Sequence, residues 1–236
     1  MTTSLKTTLE DLLKRHRLQS EGPPLATVEG NRPLATGIRA LDGLLAGGFA
    51  RGEVSEVYGP PSSGRTGLAL CLVARAIRRG ALVAWVDPGD RLDPHSAASL
   101  NLDLSRLLWL RGEPRVSGLA KALSAVGALM GSGLFEIVVL DLAGIPREEI
   151  LRLPGATWIR LQRMVETRPA VLLLLSSTHI VRSPGGASLS LTPLAPRWSA
   201  HPGPGRLLRG LVAEARVGLH AGRSVLFELR DSAWGR

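Results

Sequence analysis

The sequence is poor in cysteine, in aromatic residues and in lysine. Its 236 residues include a single cysteine, Cys71, which excludes a disulfide framework and a cysteine-based zinc site. Aromatic residues make up 4% of the chain, so we expect an aliphatic core. The sequence also lacks an apolar run of about 18 residues, the length that crosses a membrane, and the apolar segment of a signal peptide at its start. We therefore expect a cytoplasmic protein with no membrane partner.

Arginine, by contrast, is abundant. Lysine supplies only 3 of the 29 basic residues, and the formal net charge is +9. Surplus positive charge favours polyanionic partners, nucleic acid first. A coding preference for arginine is the alternative explanation. Hydrophobic residues make up 44% of the chain, which is enough for a well-filled core and excludes a disordered protein.

The residue pattern divides the chain into three parts. Residues 1–20 contain a predicted amphipathic helix. Its apolar stripe consists of Leu5, Leu9, Leu12 and Leu13. A short isolated helix is marginal in water, so we expect the stripe to dock on its own domain, on a neighbouring subunit or on a partner protein. Residues 21–35 are rich in proline and glycine and are predicted to be a linker, and residues 36–236 are predicted to be the core domain.

Short apolar segments alternate with helical segments through the core domain. Strands are predicted at Val54–Tyr58, Ala81–Val86, Leu107–Leu110, Ile137–Leu140 and Val171–Leu175, and helices over 66–79, 117–130 and 156–167. This pattern is typical of a parallel sheet covered by helices on both faces. Two final segments, Leu211–Val217 and Val225–Leu229, predict an antiparallel hairpin. Residues 182–206 are rich in glycine, proline and serine, and we expect them to form a long loop.

The strongest motif lies between the first predicted strand and the helix that follows it. It matches the phosphate-binding pattern G-x-x-x-x-G-K-[ST] except that Arg65 replaces the lysine. Its glycines permit a tight turn whose amide groups, together with the helix N-terminus, form an anion nest. The candidate nucleotide-binding residues are Gly59, Ser62, Ser63, Gly64, Arg65 and Thr66. An ordinary glycine-rich turn is the alternative interpretation.

Thr66 and Asp141 are the candidate ligands of a magnesium ion. Phe135–Asp141 is an apolar strand that ends in a carboxylate, which is how such an aspartate reaches the metal of a bound nucleotide. The hydroxyl of Thr66 is the second candidate ligand. Arg65 keeps the charge of lysine, but its larger fork either contacts phosphate or fills the site. The expected cofactor is ATP with magnesium, unless Arg65 has closed the site.

These segments together resemble the RecA family. Thr36–Pro60 reads like the beginning of a RecA ATPase core, and Val86–Pro94 is similar to the family segment that carries a catalytic glutamate. In that register Gly89 takes the position of the glutamate, and Asp90 is displaced by one residue. The resemblance, which covers about 36–180, implies an α/β fold with a RecA-like P-loop core, a mostly parallel sheet, helices on both faces and a C-terminal antiparallel hairpin. It also implies that the carboxylate that orients the attacking water is missing.

The strand that ends near residue 175 is followed by Ser176–His179, where RecA proteins have an Asn-Gln sensor. His179 is therefore predicted to be a polar residue at the strand end rather than a catalytic base.

The eroded catalytic positions and the short amino-terminal helix resemble ImuA-like proteins within this superfamily, and also the related SulA-type inhibitors of cell division. The ImuA resemblance implies a non-catalytic scaffold of SOS-induced mutagenic translesion synthesis in the bacterial nucleoid. Its implied partners are an ImuB-type polymerase homologue, an error-prone replicative-type polymerase, RecA and DNA. A second copy of the same chain is a further implied partner. A DNA-stimulated ATPase that uses Asp90, and a cell-division inhibitor, remain as alternatives.

The same resemblance implies DNA contacts in two loops, Leu142–Pro154 and 182–206. The candidate DNA-binding residues in these loops are Arg147, Arg152, Arg182, Arg197, Trp198 and Arg206. Arginine suits contact with phosphate, and tryptophan stacks on bases. The alternative is a pair of solvated loops in which Trp198 only pins the second loop to the core.

Overall fold

A computed structural model describes residues 32–98, 100–112, 118–181, 185–199, 206–218 and 222–230. The helices are α1 (Arg39–Leu44), α2 (Arg65–Arg78), α3 (Pro94–Ala98), α4 (Leu119–Ser132), α5 (Arg147–Leu151) and α6 (Gly155–Glu166). The strands are β1 (Glu53–Tyr58), β2 (Leu82–Asp87), β3 (Leu107–Arg111), β4 (Phe135–Asp141), β5 (Val171–Ser176), β6 (Ser188–Trp198), β7 (Leu208–Val217) and β8 (Ser224–Arg230). The predicted amino-terminal helix with Leu5, Leu9, Leu12 and Leu13 lies outside the described residues, as does Arg182.

The eight strands form one sheet in the order β3-β2-β4-β5-β1-β6-β7-β8. The first six strands in this order, β3-β2-β4-β5-β1-β6, pair in parallel. Strand β7 is antiparallel to both β6 and β8. This confirms the predicted mostly parallel sheet and its C-terminal antiparallel hairpin. Because parallel strands end at one edge of a sheet, the segments that follow β1, β2, β4 and β5 meet there.

Alternate residues of the central strands supply two cores, one on each face of the sheet. On β2, Val83 and Trp85 belong to the core that includes the buried residues of α2, whereas Ala84 and Val86 belong to the core that includes those of α4 and α6. Because β2, β4 and β5 are buried along their whole length, they have no face in water. The predicted cover of helices on both faces is confirmed. None of the helices in the described ranges is long and apolar enough to span a bilayer.

One segment that was predicted to be a loop is a strand. Ser188–Trp198 forms β6, which joins the parallel part of the sheet to the antiparallel part. The loop prediction was wrong because Leu189 and Leu191 alternate with polar residues and are buried, which is strand periodicity. Pro193 is tolerated because the pairing with β7 shifts between Pro193 and Ala195, and an irregularity of this kind accommodates a residue without an amide donor.

Candidate functional site

The loop between β1 and α2 is shaped to receive an anion. Ser62 and Gly64 adopt left-handed backbone conformations, with φ of 61° and 92°. No side chain caps α2, so the amide groups of its first turn have no side-chain partner. The hydroxyl of Ser63 is buried and has no hydrogen-bond partner within the described part of the chain. A phosphate group would satisfy both the helix terminus and this hydroxyl, so the residues present fit the polyphosphate of a nucleotide.

Both glycines of the loop are required by close packing. A Cβ atom at Gly59 would collide with the main-chain oxygen of Leu191 in β6, and one at Gly64 would lie 2.8 Å from Cδ1 of Leu229 in β8. The C-terminal strands therefore press directly on the phosphate loop. The sequence pattern identified the glycines but did not show what they face.

Arg65 folds back onto the loop that precedes it. Its Nη1 atom donates hydrogen bonds to the carbonyl oxygen of Gly59, at 2.5 Å, and to the carbonyl oxygen of Ser176 at the end of β5. Burial lowers the pKa of the half-buried guanidinium, while the nearby Asp141 carboxylate acts in the opposite direction. Neither Nε nor Nη2 of Arg65 has a hydrogen-bond acceptor within the described residues, so the fork ties β1 to β5 and keeps donors for a ligand.

A buried carboxylate, that of Glu56, lies next to the end of β5 to which Arg65 is hydrogen-bonded. Glu56 of β1 is fully buried and accepts a hydrogen bond from the Ile180 amide at 2.8 Å. Nδ1 of His179 lies 2.8 Å from the same carboxylate, and because a carboxylate accepts, this contact assigns the proton to Nδ1. The hydroxyl of Ser176 lies 3.1 Å from Glu56. His179 therefore holds a structural network together. Sequence reasoning placed His179 at the strand end but missed Glu56, because nothing in the spacing marks a buried acid in an apolar strand.

Asp141 ends β4 beside the same edge of the sheet. It is buried, and its carboxylate accepts a hydrogen bond from the Ala143 amide at 3.0 Å. Burial, together with the negative charge of Asp87, raises the pKa of this carboxyl to about 6, against the opposing effects of that hydrogen bond and of Arg65 and Arg91. The predicted ligand Thr66 is exposed in the first turn of α2. Within the described ranges, no group of three or more His, Cys, Asp or Glu residues could hold a metal ion.

The turn after β2 holds two carboxylates, and both are engaged. Asp87 accepts hydrogen bonds from the amides of Arg91 and Leu92, at 2.8 to 2.9 Å, and lies 3.3 Å from Nε1 of Trp109. Asp90 is bound by both arms of Arg111 on β3, at 2.7 and 2.8 Å. Gly89 stands between them without a side chain.

Arg111 also lies over the ring of Trp109, with its guanidinium carbon 4.6 Å from the ring centroid. The pairing therefore fixes Asp90 to the edge strand. Trp109 is half-buried, packs against the core and also supports this contact.

A cleft of about 790 Å³ opens beside the phosphate loop. One wall is the loop and the start of α2, and the other is formed by β6, β7 and β8, with Leu194, Trp198 and Leu208 among the lining residues. These three side chains are 52%, 47% and 58% exposed. Trp198 therefore does not pin a loop to the core. The guanidinium carbon of Arg206 lies 5.8 Å from its ring centroid, which leaves an apolar and cationic surface open to a ligand.

The predicted DNA-binding residues form two groups. Arg197, Trp198 and Arg206 lie on or beside the β6–β7 hairpin, where Arg197 pairs with Glu228 at 3.4 Å. Arg147 and Arg152 are exposed on and just after α5, which follows β4. Two strands, β5 and β1, separate β4 from β6 in the sheet. The phosphate loop and Asp141 thus lie together at the edge of the sheet where the parallel strands end. The predicted DNA-binding residues, by contrast, are divided between the segment after β4 and the strands β6 and β7.

Comparison with known proteins agrees with this architecture. The family model for the RecA N-terminal domain matches residues 27–167. The chain is 43% identical to the protein RecA of Synechococcus sp. (strain CC9902) over 119 residues, which are 50% of this chain and 31% of that protein. It is 42% identical to the protein RecA of Chlorobaculum parvum over 134 residues, which are 56% of this chain and 38% of that protein. The chain therefore spans about a third of the length of these relatives.

A solved structure shows the same fold. The crystal structure of the RadB recombinase superposes with a TM-score of 0.61 over 85% of this chain and 97% of that chain, at 21% sequence identity. The phosphate loop, the strand that ends in Asp141 and the sheet around them all lie within or beside the region that the family model matches. On this match, the chain belongs to the RecA family.

Proposed function

We propose that this chain is a non-catalytic RecA-like accessory protein that binds a nucleotide without hydrolysing it and serves as a scaffold in SOS-induced mutagenic translesion synthesis. One observation carries the non-catalytic part of the proposal. The turn after β2 presents no free carboxylate to the phosphate loop, because Gly89 has no side chain and Arg111 holds Asp90. Without a carboxylate to orient water, hydrolysis lacks its general base.

The phosphate loop supports the nucleotide part of the proposal. The proposed contacts to the phosphates come from Gly59, Ser62, Ser63, Gly64, Arg65 and Thr66, and the groups that would hold magnesium are Thr66 and Asp141. Bound ATP would add contacts to Arg65, which already links the loop after β1 to the end of β5, and to Asp141 at the end of β4. The nucleotide then acts as a structural ligand that stabilises the folded chain by mass action.

Hydrolysis is tested with the purified full chain, ATP, magnesium and single-stranded DNA. We expect ATP to protect the protein against thermal unfolding while no phosphate is released above background. The variant Asp90→Ala separates this proposal from the alternative in which Asp90 acts as the base, since we expect it to change nothing. Turnover at the rate of an active RecA protein, lost in Asp141→Ala, would overturn the proposal.

The scaffold part is supported by the resemblance to ImuA-like proteins and by the surplus of arginine. The proposed partners are an ImuB-type polymerase homologue, an error-prone replicative-type polymerase, RecA and DNA. The proposed docking element is the stripe of Leu5, Leu9, Leu12 and Leu13, and the proposed DNA contacts are Arg147, Arg152, Arg182, Arg197, Trp198 and Arg206. Co-expression of the tagged chain with the ImuB-type protein tests the docking element.

In that experiment we expect the two proteins to co-purify, and the double variant Leu9→Asp with Leu12→Asp to lose the partner. Equal recovery by both forms would contradict the docking element. Recovery by neither form would contradict the partner itself.

A further inference from the structure

The cleft beside the phosphate loop carries half of the large exposed apolar side chains in the described part of the chain. Leu194, Trp198, Leu207 and Leu208 are between 47% and 58% exposed, and they are four of eight such residues. Three of them line the cleft, and Leu207 directly precedes the third. Single apolar side chains on a surface need no partner, whereas a contiguous group of this kind indicates that another surface covers it.

The walls of the cleft show what such a cover would touch. One wall contains Leu211 and Leu229, which are paired neighbours on β7 and β8. The other wall contains residues 62–67 of the phosphate loop and Leu70 of α2. A segment that fills the cleft therefore also contacts the phosphate loop.

The described chain begins on the same face of the sheet as the cleft. Leu34 belongs to the same core as Leu229 and the buried residues of α2. The helix α1, which follows Leu34, lies beside β8, because Arg223 just before β8 donates a hydrogen bond to the carbonyl oxygen of Leu44 at 3.3 Å. The segment that precedes residue 32 therefore does not have to cross the sheet to reach the cleft.

The length of this segment is sufficient as well. The carbonyl oxygen of Arg32 accepts a hydrogen bond from Nε of Arg51 at 3.1 Å, just before β1, and β1 leads directly to the phosphate loop. The six residues of β1 span about 20 Å. Residues 21–31, when extended, reach about 36 Å. The first 20 residues can therefore reach the cleft of their own chain.

We propose that residues 1–20 place Leu5, Leu9, Leu12 and Leu13 in this cleft and so cover the phosphate loop of the same molecule. The four leucines recur at helical spacing, which gives the predicted helix one apolar stripe. An amphipathic helix whose apolar face lies in an apolar groove is a common mode of recognition, and a short helix needs such a cover to be stable. The same leucines are the proposed docking element for a partner protein, so the partner and a nucleotide each have to displace this cover.

Cross-linking tests where the apolar stripe lies. The pair Leu9→Cys and Leu208→Cys is introduced into a chain that carries Cys71→Ala, and the dilute protein is treated with a short bismaleimide. We expect a cross-link within one molecule. The control pair is Leu9→Cys with Leu226→Cys, because Leu226 is 62% exposed on β8 but lies outside the lining of the cleft. We expect at least about tenfold less cross-linked monomer from the control pair, since its effective concentration is lower.

The affinity for a fluorescent ATP analogue, measured by anisotropy, tests whether the segment covers the loop. We expect the double variant Leu12→Asp with Leu13→Asp to bind at least about threefold more tightly than the unmodified chain, because a larger fraction of its molecules has an open cleft. Lys14→Asp is the control, since it makes the same change in net charge outside the apolar stripe and should leave the affinity unchanged. Circular dichroism verifies that each variant is folded.

Equal cross-linking of the two cysteine pairs would overturn the proposed position of the apolar stripe. Cross-links only between molecules would also overturn it, and they would assign the cleft to a second copy of the chain. An affinity that is equal in the double variant and in the unmodified chain would overturn the covering of the loop. Failure of both forms to bind the ATP analogue would overturn the proposed nucleotide binding, whereas the position of the apolar stripe would still be decided by the cross-links.

Discussion

Replacing Glu56 by alanine tests the buried network that holds the phosphate loop to the end of β5. Glu56 is fully buried, and the Ile180 amide and Nδ1 of His179 each lie 2.8 Å from its carboxylate. The hydroxyl of Ser188 on β6 lies 3.3 Å away. In Glu56→Ala these donors would lose the carboxylate that accepts from them.

The expected loss of stability follows from the number and the burial of these donors. Each buried donor that loses its acceptor costs about 1–3 kcal/mol, and removing one partner from a buried charged network costs about 3–5 kcal/mol. We therefore expect Glu56→Ala to lower the free energy of unfolding by about 3–5 kcal/mol. Glu56→Gln keeps the shape and one carbonyl acceptor, so its cost should be smaller, about 1–3 kcal/mol.

Urea unfolding at neutral pH, followed by circular dichroism, measures the difference. With a slope near 3 kcal/mol per molar urea, the midpoint of Glu56→Ala should fall by roughly 1–2 M. Glu148→Ala, at an exposed position in α5, is the control and should remain within about 0.5 kcal/mol of the unmodified protein. If the urea midpoint of Glu56→Ala differs from that of the unmodified protein no more than the midpoint of Glu148→Ala does, the reasoning is refuted.

Three further predictions concern single residues. Burial raises the pKa of the Cys71 thiol to about 11, so at pH 8 its thiolate fraction and its rate of labelling by iodoacetamide should be about 100-fold below those of an ordinary thiol. Mass spectrometry that shows labelling at the ordinary rate would contradict this prediction. Gly64→Ala should lower the melting temperature more than Gly80→Ala, because both glycines have a left-handed φ but only at Gly64 would the new Cβ atom meet a neighbour, Leu229, at 2.8 Å. Equal decreases in melting temperature would disprove the packing argument. Trp198→Ala should weaken the binding of single-stranded DNA by about 5- to 150-fold in an anisotropy assay at constant salt, since one stacked base contributes about 1–3 kcal/mol. An unchanged affinity would exclude base stacking on this residue.

The parallel part of the fold was predictable because its signals are local. Strands that are buried on both faces must be apolar almost throughout, and β2, β4 and β5 have this composition and this burial. The helix predicted over 66–79 is Arg65–Arg78, since its apolar positions recur at helical spacing and Arg79-Gly80 ends it. The three short helices, α1, α3 and α5, have too few residues for such periodicity, and the sequence did not predict them.

The candidate site was only partly predictable. The phosphate loop is a contiguous motif, so its glycines and Arg65 could be read directly from the sequence. Glu56 could not be found in this way, because its role depends on residues that are distant in the chain, such as His179 and Ile180. The strand Ser188–Trp198 was missed because composition outweighed its alternating pattern.

The sequence alone determined the elements whose cause lies within a few residues: the apolar strands, the helix periodicity, the glycine-bracketed turn and the glycine in place of a catalytic acid. The tertiary structure decided which charges meet at the carboxyl edge of the sheet. It pairs Asp90 with Arg111 and ties Arg65 to the carbonyl oxygen at the end of β5. The physical reason is that an ion pair or a hydrogen bond depends on separation in space, and the strand order β2-β4-β5-β1 joins segments that the chain keeps far apart.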